Sequence, residues 1–151
     1  MIGRIFMTDK MRQARHDTAV TRIKEEIQIA GNEIYDRLKA DVLIAQNKRG
    51  RDYITHILER KVGKSYALMR IASETGYPII VHNSTWADCM KREAKKKYGW
   101  DIDVISFRSI PIRIDGMKCD VMLKDEMVDI VDVRDRLIEG RLGWVSIVGV
   151  N

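Results

Sequence analysis

The architecture of this chain is indicated most clearly by Leu58-Glu59-Arg60-Lys61-Val62-Gly63-Lys64-Ser65. This stretch follows the apolar run 53–58 and precedes 66–72, where apolar residues recur at helical spacing. A strand, a basic turn and a helix in this order present the unpaired backbone N–H groups of a helix N-terminus to an anion, which the helix dipole also attracts. The stretch therefore predicts a phosphate-binding loop, with an ordinary strand–turn–helix as the alternative.

Gly-Lys-Ser within this loop predicts the chemistry of nucleotide binding. Lys64 would reach the β- and γ-phosphates, and the Ser65 hydroxyl would ligate Mg²⁺. Leu58 stands where the usual G-x-x-x-x-G-K-S/T pattern has its first glycine. The predicted nucleotide-binding residues of the loop are Glu59, Arg60, Lys61, Val62, Gly63, Lys64, Ser65 and Tyr66.

A second motif, Met117-Lys118-Cys119-Asp120-Val121-Met122-Leu123-Lys124-Asp125-Glu126, is an apolar-rich strand that ends in two carboxylates. Its order and separation suit a Walker B strand after two intervening β–α units. Asp125 would hold Mg²⁺ through water, and Glu126 would orient and deprotonate the attacking water. The alternative is an acidic helix N-terminus that caps the following turn.

The remaining chain predicts helices that alternate with strands. Apolar residues at helical spacing extend from about 9 to 46, and Gly31-Asn32 either breaks this region into two helices or weakens one. Further helices are predicted after Lys64 up to Gly76, from Asn83 or Ser84 to 98, and over 127–138. Further strands are predicted at 78–82, 103–107 and 144–150, with a connector at 108–117.

Such alternation predicts an α/β fold in which helices flank a parallel sheet of about five strands. We expect an N-terminal helical extension over 1–50 and a core over 51–151. The N-terminal helices either pack on the sheet of their own domain or form an arm that contacts another subunit. Ligands of parallel sheets bind beyond the carboxyl ends of the strands. Polar residues collect at those predicted ends: 60–65, His82-Asn83, Arg108, Asp125-Glu126 and Asn151.

Composition predicts one globular domain of 151 residues, with 45% hydrophobic and 32% charged residues. No apolar run approaches the ~20 residues needed to span a bilayer, and the first ten residues do not resemble a signal peptide. Cys89 and Cys119 predict buried or half-buried free thiols in a reducing cytoplasm, and the three histidines are too scattered for a metal cluster.

The net charge of +5 is compatible with a nucleic-acid partner. Two basic segments, 48–51 and 91–97, are the candidates for phosphate contacts. A solvated connector and a lysine-rich helix end that suits the helix dipole are the alternatives.

From about residue 52 to Asn151, the chain resembles P-loop NTPases of the additional-strand, catalytic-glutamate division, which includes helicases, RecA-like motors and terminases. Residues 60–65 resemble the P-loop of phage terminase large subunits, which often lack the first glycine. Small P-loop ATPases of phages and mobile elements are similar in loop and size. The resemblance implies that Arg60 stabilises charge on the γ-phosphate and that Asn151 occupies a sensor-1 position.

The departures from this pattern affect the expected function. There is no room for a terminase nuclease domain or a second RecA-like lobe, so another copy or a partner protein would complete the site. Lys124 occupies a normally apolar position, which predicts either reduced activity or an edge of the sheet. A small nucleotide or metabolite kinase is disfavoured because no arginine-bearing lid insertion is present.

We therefore expect a cytoplasmic ATPase, in the host cytoplasm if phage-encoded, with ATP and Mg²⁺ as ligands. Glu126, Lys64 and Arg60 would be catalytic, and Ser65 and Asp125 would hold the metal. Its process would be phage or mobile-element DNA packaging, replication or recombination. The alternative is a nucleic-acid-binding or regulatory module on the same scaffold with little or no turnover.

Overall fold

Five strands form one parallel sheet in the computed structural model, which describes residue 22 and the ranges 29–57, 63–110 and 119–151. The strand order is β1-β5-β4-β2-β3, and each neighbouring pair is parallel. The predicted parallel α/β sheet of about five strands is therefore confirmed. The strands are β1 (Asp52–Thr55), β2 (Ile79–Val81), β3 (Val104–Ser106), β4 (Val121–Lys124) and β5 (Ser146–Val150).

Four helices flank the sheet in the described ranges: α1 (29–45), α2 (Lys64–Thr75), α3 (Ser84–Tyr98) and α4 (Ile130–Glu139). A short 3-10 helix, Phe107–Ser109, follows β3. Gly76 and Gly99 end α2 and α3 with positive φ angles of 77° and 72°, as their sequence positions predict. The Asn83 side chain accepts a hydrogen bond from the Trp86 backbone N–H and caps α3.

The two faces of the sheet are covered by different helices. Helices α1, α2 and α3 share one hydrophobic cluster with Ile79, Val81, Leu123 and Val148. Val133 and Leu137 of α4 pack in a second cluster with Ile80, Met122 and Ile147. Successive strand residues therefore contribute to opposite faces, which is why strands buried on both sides are almost wholly apolar.

Helix α1 packs on its own domain over its described length. Leu38 and Val42 are fully buried, and Gly31 and Asn32 lie inside the helix rather than breaking it. Tyr35 Oη donates a 2.7 Å hydrogen bond to the Glu74 carboxylate on α2, and Arg70 stacks over the Tyr35 ring. The first of the two predicted roles for this helix is thus confirmed for 29–45. The boundary proposed at residue 50 stays a prediction.

Some predicted element limits differ from the structure. Strand β1 ends at Thr55 rather than continuing to residue 58. Helix α4 begins at Ile130 rather than 127, because the Asp129 carboxylate accepts a 2.7 Å hydrogen bond from the Val131 N–H and fixes the helix start there. The prediction that Lys124 marks a sheet edge is wrong, since β4 lies between β5 and β2.

Candidate functional site

Lys64, the first residue of α2, brings three chain segments together at the carboxyl edge of the sheet. Its side chain is only 5% exposed, and its ammonium lies 2.9 Å from Glu126 Oε2. The same Nζ donates to the main-chain oxygen atoms of Asn151, at 3.3 Å, and Ile57, at 3.5 Å. The structure therefore joins three predicted site residues, Lys64, Glu126 and Asn151, around one buried cation.

The N-terminus of α2 carries backbone donors that are not used within the helix. Its first internal hydrogen bond runs from the Ala67 N–H to the Gly63 carbonyl, so the N–H groups of 64–66 precede it. The residue at the N-cap position, Gly63, has no side chain with which to cap this end, and the first turn of α2 contains no acidic residue. Together with the helix dipole, these features suit an anionic ligand.

Gly63 is fitted closely against helix α1. Its φ angle is 86°, and a Cβ built there would overlap the Gly31 Cα and lie 2.6 Å from the Gly31 N atom. A Cβ on Gly31 would in turn lie 2.8 Å from the Tyr66 ring. Two glycines therefore let the main chain of α1 touch the start of α2.

Asp125 lies directly after β4 and is 3% exposed. Burial raises the pKa of this carboxyl, although backbone N–H groups of Glu126 and Met127 that donate to it act in the opposite direction. Glu126 is more open, with 38% of its side chain exposed, and forms the ion pair with Lys64. The two adjacent carboxyls thus occupy different environments.

The candidate metal ligands, Ser65 and Asp125, offer oxygen atoms of the kind that Mg²⁺ prefers. The described ranges contain no group of three or more His, Cys, Asp or Glu side chains arranged for a metal. Mg²⁺ usually takes one or two protein ligands and completes its shell with water and substrate phosphates. The donor set fits Mg²⁺ that arrives with a nucleotide.

Lys124 is buried beside these carboxyls, with a relative exposure of 1%. Its ammonium donates to three main-chain oxygen atoms, those of Asp125 at 2.8 Å, Val128 at 2.7 Å and Val150 at 2.8 Å. Burial lowers the pKa of this ammonium, opposed by the nearby carboxylates of Asp125, Asp129 and Glu126. The lysine is compatible with an interior strand because its three donors are all satisfied.

His56 belongs to the site although its sequence context did not single it out. Its Nδ1 hydrogen-bonds with the Asn151 amide nitrogen, and both side chains line a groove of about 600 Å³ with Glu126. The signal that could have identified it is its position immediately after β1, at the carboxyl edge of the sheet.

Other predicted site residues are placed elsewhere or are not described. Leu58, Glu59, Arg60, Lys61 and Val62 lie outside the described residues, so their roles stay predictions. The Tyr66 ring packs edge-on against Tyr98, with centroids 5.6 Å apart. Among the other polar residues at strand ends, His82 lies against Trp86, and the Arg108 guanidinium lies over the Phe107 ring.

The basic segments are partly paired with acidic side chains. In 91–97, Lys97 pairs with Glu93 at 2.9 Å, and Lys95 pairs with Asp101 at 3.1 Å. In 48–51, the Arg49 guanidinium lies 5.9 Å from the centre of the Trp144 ring. Two of the lysines in 91–97 therefore already have acidic partners.

Both cysteines are free; Cys119 is buried as predicted, whereas Cys89 is exposed. Within the described ranges, no helix combines the length and apolar character that crossing a membrane requires. Comparisons with protein-family models, with curated proteins and with solved structures found no match.

Proposed function

We propose that this protein binds Mg²⁺-ATP and hydrolyses it at the Lys64 site. The observation that carries the proposal is the buried Lys64 ammonium, placed at a helix N-terminus whose N-cap residue is a glycine and paired with Glu126. A cation beside the N–H donors that the first turn of a helix does not use internally suits the β- and γ-phosphates of a nucleotide. Strand β5, inserted between β1 and β4, adds support because an additional strand is what the resembled division is named for.

Nucleotide binding would exchange the partners of Lys64. The phosphates would take the ammonium from Glu126, whose carboxylate would then be free to orient a water molecule and accept its proton. The water oxygen attacks the γ-phosphorus, the bond from that phosphorus to the β–γ bridging oxygen breaks, and ADP and inorganic phosphate leave. Asn151 and Arg60 would contact the γ-phosphate.

Ser65 and Asp125 would hold the Mg²⁺, which would neutralise charge on the phosphate oxygens. Because the described residues leave the groove at His56, Glu126 and Asn151 open, we propose that a second copy or a partner protein covers it during turnover. DNA packaging, replication or recombination in a phage or mobile element, in the cytoplasm of the host, is the process that the motif resemblance favours.

The test is calorimetry with Mg²⁺-ATP followed by phosphate-release assays with and without DNA. We expect Lys64→Ala to abolish binding, because the ammonium cannot be replaced by the helix N–H groups alone. Glu126→Gln should retain binding and lose turnover by about 100-fold or more, since the amide cannot accept the proton of water.

Lys39→Ala is the matched control, because Lys39 also forms a lysine–glutamate pair, 3.3 Å from Glu74, but lies away from the sheet edge. It should bind and turn over like the wild type. Turnover that survives both Lys64→Ala and Glu126→Gln would disprove the proposed mechanism.

A nucleic-acid-binding module is the second candidate. The observations in its favour are the raised pKa of the buried Asp125 carboxyl, which opposes metal binding, and the stacked Tyr98 and Trp100 rings beside the lysine-rich end of α3. Affinity for single-stranded DNA that falls steeply with salt, and falls again in Lys96→Glu, would support it. Salt-independent or absent binding would remove it.

A further inference from the structure

The proposed hydrolysis assigns no role to Lys124, yet all three N–H donors of its ammonium form hydrogen bonds. A lysine ammonium has three N–H donors, and each meets one main-chain carbonyl, at 2.7–2.8 Å. Three acceptors at these distances on a side chain with 1% exposure form a specific clamp rather than a solvated charge. The three carbonyls belong to Asp125, directly after β4, to Val128 in the turn that follows, and to Val150 at the end of β5.

Two of the carbonyls determine where Glu126 lies. The Asp125 oxygen belongs to the peptide group that carries the Glu126 N–H, so the bond from Lys124 fixes the plane of that peptide. The Val128 oxygen closes the turn that follows. The ammonium therefore holds the main chain on both sides of Glu126.

The third carbonyl connects the clamp to β5. The Val150 oxygen belongs to the peptide group that leads to Asn151, whose own main-chain oxygen accepts a hydrogen bond from Lys64. Glu126 and Asn151 are two of the three partners of the Lys64 ammonium, and each directly follows a residue whose carbonyl binds the buried Lys124 nitrogen atom.

Gly149 provides the space for this arrangement. It is directly opposite Lys124 in the β4–β5 register. A Cβ at 149 would overlap the Lys124 oxygen and lie 2.6 Å from the Lys124 Cβ. The φ angle of Gly149 is not positive, so this glycine is not needed for an unusual backbone conformation. Its role is to let the main chain of β5 approach Lys124 closely.

We propose that Lys124 is a positioning residue, whose buried ammonium holds the main chain of Glu126 and Asn151 against Lys64. Its consequence for turnover rests on the proposed ATPase function, whereas its consequence for the local main chain does not. Lys124→Met is the direct test, because it keeps most of the side-chain volume and removes only the donors.

The first measurement is amide hydrogen exchange resolved by residue. In Lys124→Met, we expect exchange at the amides of Glu126, Met127 and Asn151 to accelerate by about tenfold or more relative to α2 amides. The matched control is Val121→Ala, a fully buried substitution at the other end of β4, where the strand partner is Ser146. Equal acceleration at all amides, or none at these three, would overturn the proposal.

The second measurement is turnover. We expect kcat to fall by about 10- to 100-fold in Lys124→Met while the Kd for Mg²⁺-ATP stays within about threefold, because the substitution leaves Lys64 and the start of α2, which would hold the phosphates, in place. Val121→Ala should keep the wild-type kcat at temperatures where both variants are folded. An unchanged kcat in Lys124→Met would contradict a positioning role.

Lys124→Ala with added propylammonium tests the clamp if Lys124→Met does not fold. The added cation replaces the atoms that the substitution removes, so it should restore slow exchange at Glu126 and Asn151. Tetramethylammonium has the same charge without N–H donors and should not; equal rescue by both cations would refute the clamp. A wild type that neither binds nor hydrolyses ATP would refute the proposed function, and the exchange data would then decide the role of Lys124 alone.

Discussion

At the scale of single residues, Gly63 shows how closely the site is built. Its positive φ and its contact with Gly31 are separate constraints, because the first opposes any L side chain and the second excludes even a methyl group. The pattern G-K-S already predicts a glycine at this position for its backbone. The contact with α1 adds a packing reason that only the tertiary structure reveals.

Gly63→Ala should therefore destabilise the fold by about 2–5 kcal/mol, the sum of the left-handed strain and the steric overlap. Gly76→Ala is the matched control: its φ is also positive, at 77°, but a Cβ there would meet nothing within 4 Å. That variant should cost only about 1–2 kcal/mol. Equal losses in urea unfolding would show that the contact with Gly31 contributes nothing.

At the scale of elements, the helix ends that carry a capping residue in the sequence are predictable, because the chemistry of a cap is local. Gly76, Gly99 and Asn83 lie where capping rules place them. Strand limits were predicted less well. An apolar run such as 53–58 does not reveal where pairing stops, since that depends on the length of the neighbouring strand.

Removal of the α3 cap offers a local test. Asn83→Ala should lower the free energy of unfolding by about 0.5–2 kcal/mol, because the Trp86 N–H loses its acceptor. Ser84→Ala, at the exposed next position, should stay within about 0.5 kcal/mol of the wild type. Thermal or urea unfolding of both variants measures the difference; a neutral Asn83→Ala would contradict the cap.

Helix α1 can be tested with two leucines on opposite faces. Leu38 is 0% exposed and Leu43 is 55% exposed. Leu38→Ala should cost about 2–5 kcal/mol because it leaves a cavity between α1 and the rest of the core, whereas Leu43→Ala should be nearly neutral. If α1 were a detached arm in solution, urea unfolding would show the two variants to be equally stable.

At the scale of the whole molecule, the meeting of Lys64 with Glu126 followed from the parallel topology, because the carboxyl ends of parallel strands share one edge. The order of the strands could not be predicted, since hydrophobic periodicity contains no pairing information. The alternative that Lys124 marks a sheet edge is wrong for a related reason. A lysine indicates exposure unless three carbonyls converge on it, and these belong to the residue after β4, to the turn that follows and to β5.

The reactivity of the two cysteines measures whether the core is folded, because one thiol is buried and the other is exposed. Burial raises the pKa of the Cys119 thiol, so less thiolate is present at a given pH, and the folded chain also blocks access to it. With Ellman's reagent at pH 8, Cys89 should react at least about tenfold faster than Cys119 in the native protein. Cys89→Ser removes the fast reaction and Cys119→Ser removes the slow one, so the two variants assign each rate to its cysteine. In urea the two rates should converge, and equal native rates would contradict the burial of Cys119.

The fit of Lys124 over Gly149 has a consequence for sequence variation. A Cβ at 149 would overlap the main-chain oxygen of residue 124 and lie 2.6 Å from its Cβ, and every residue except glycine has both atoms. The need for glycine at 149 is therefore independent of the lysine side chain. Homologues of this chain should keep glycine at position 149 even where position 124 is no longer a lysine.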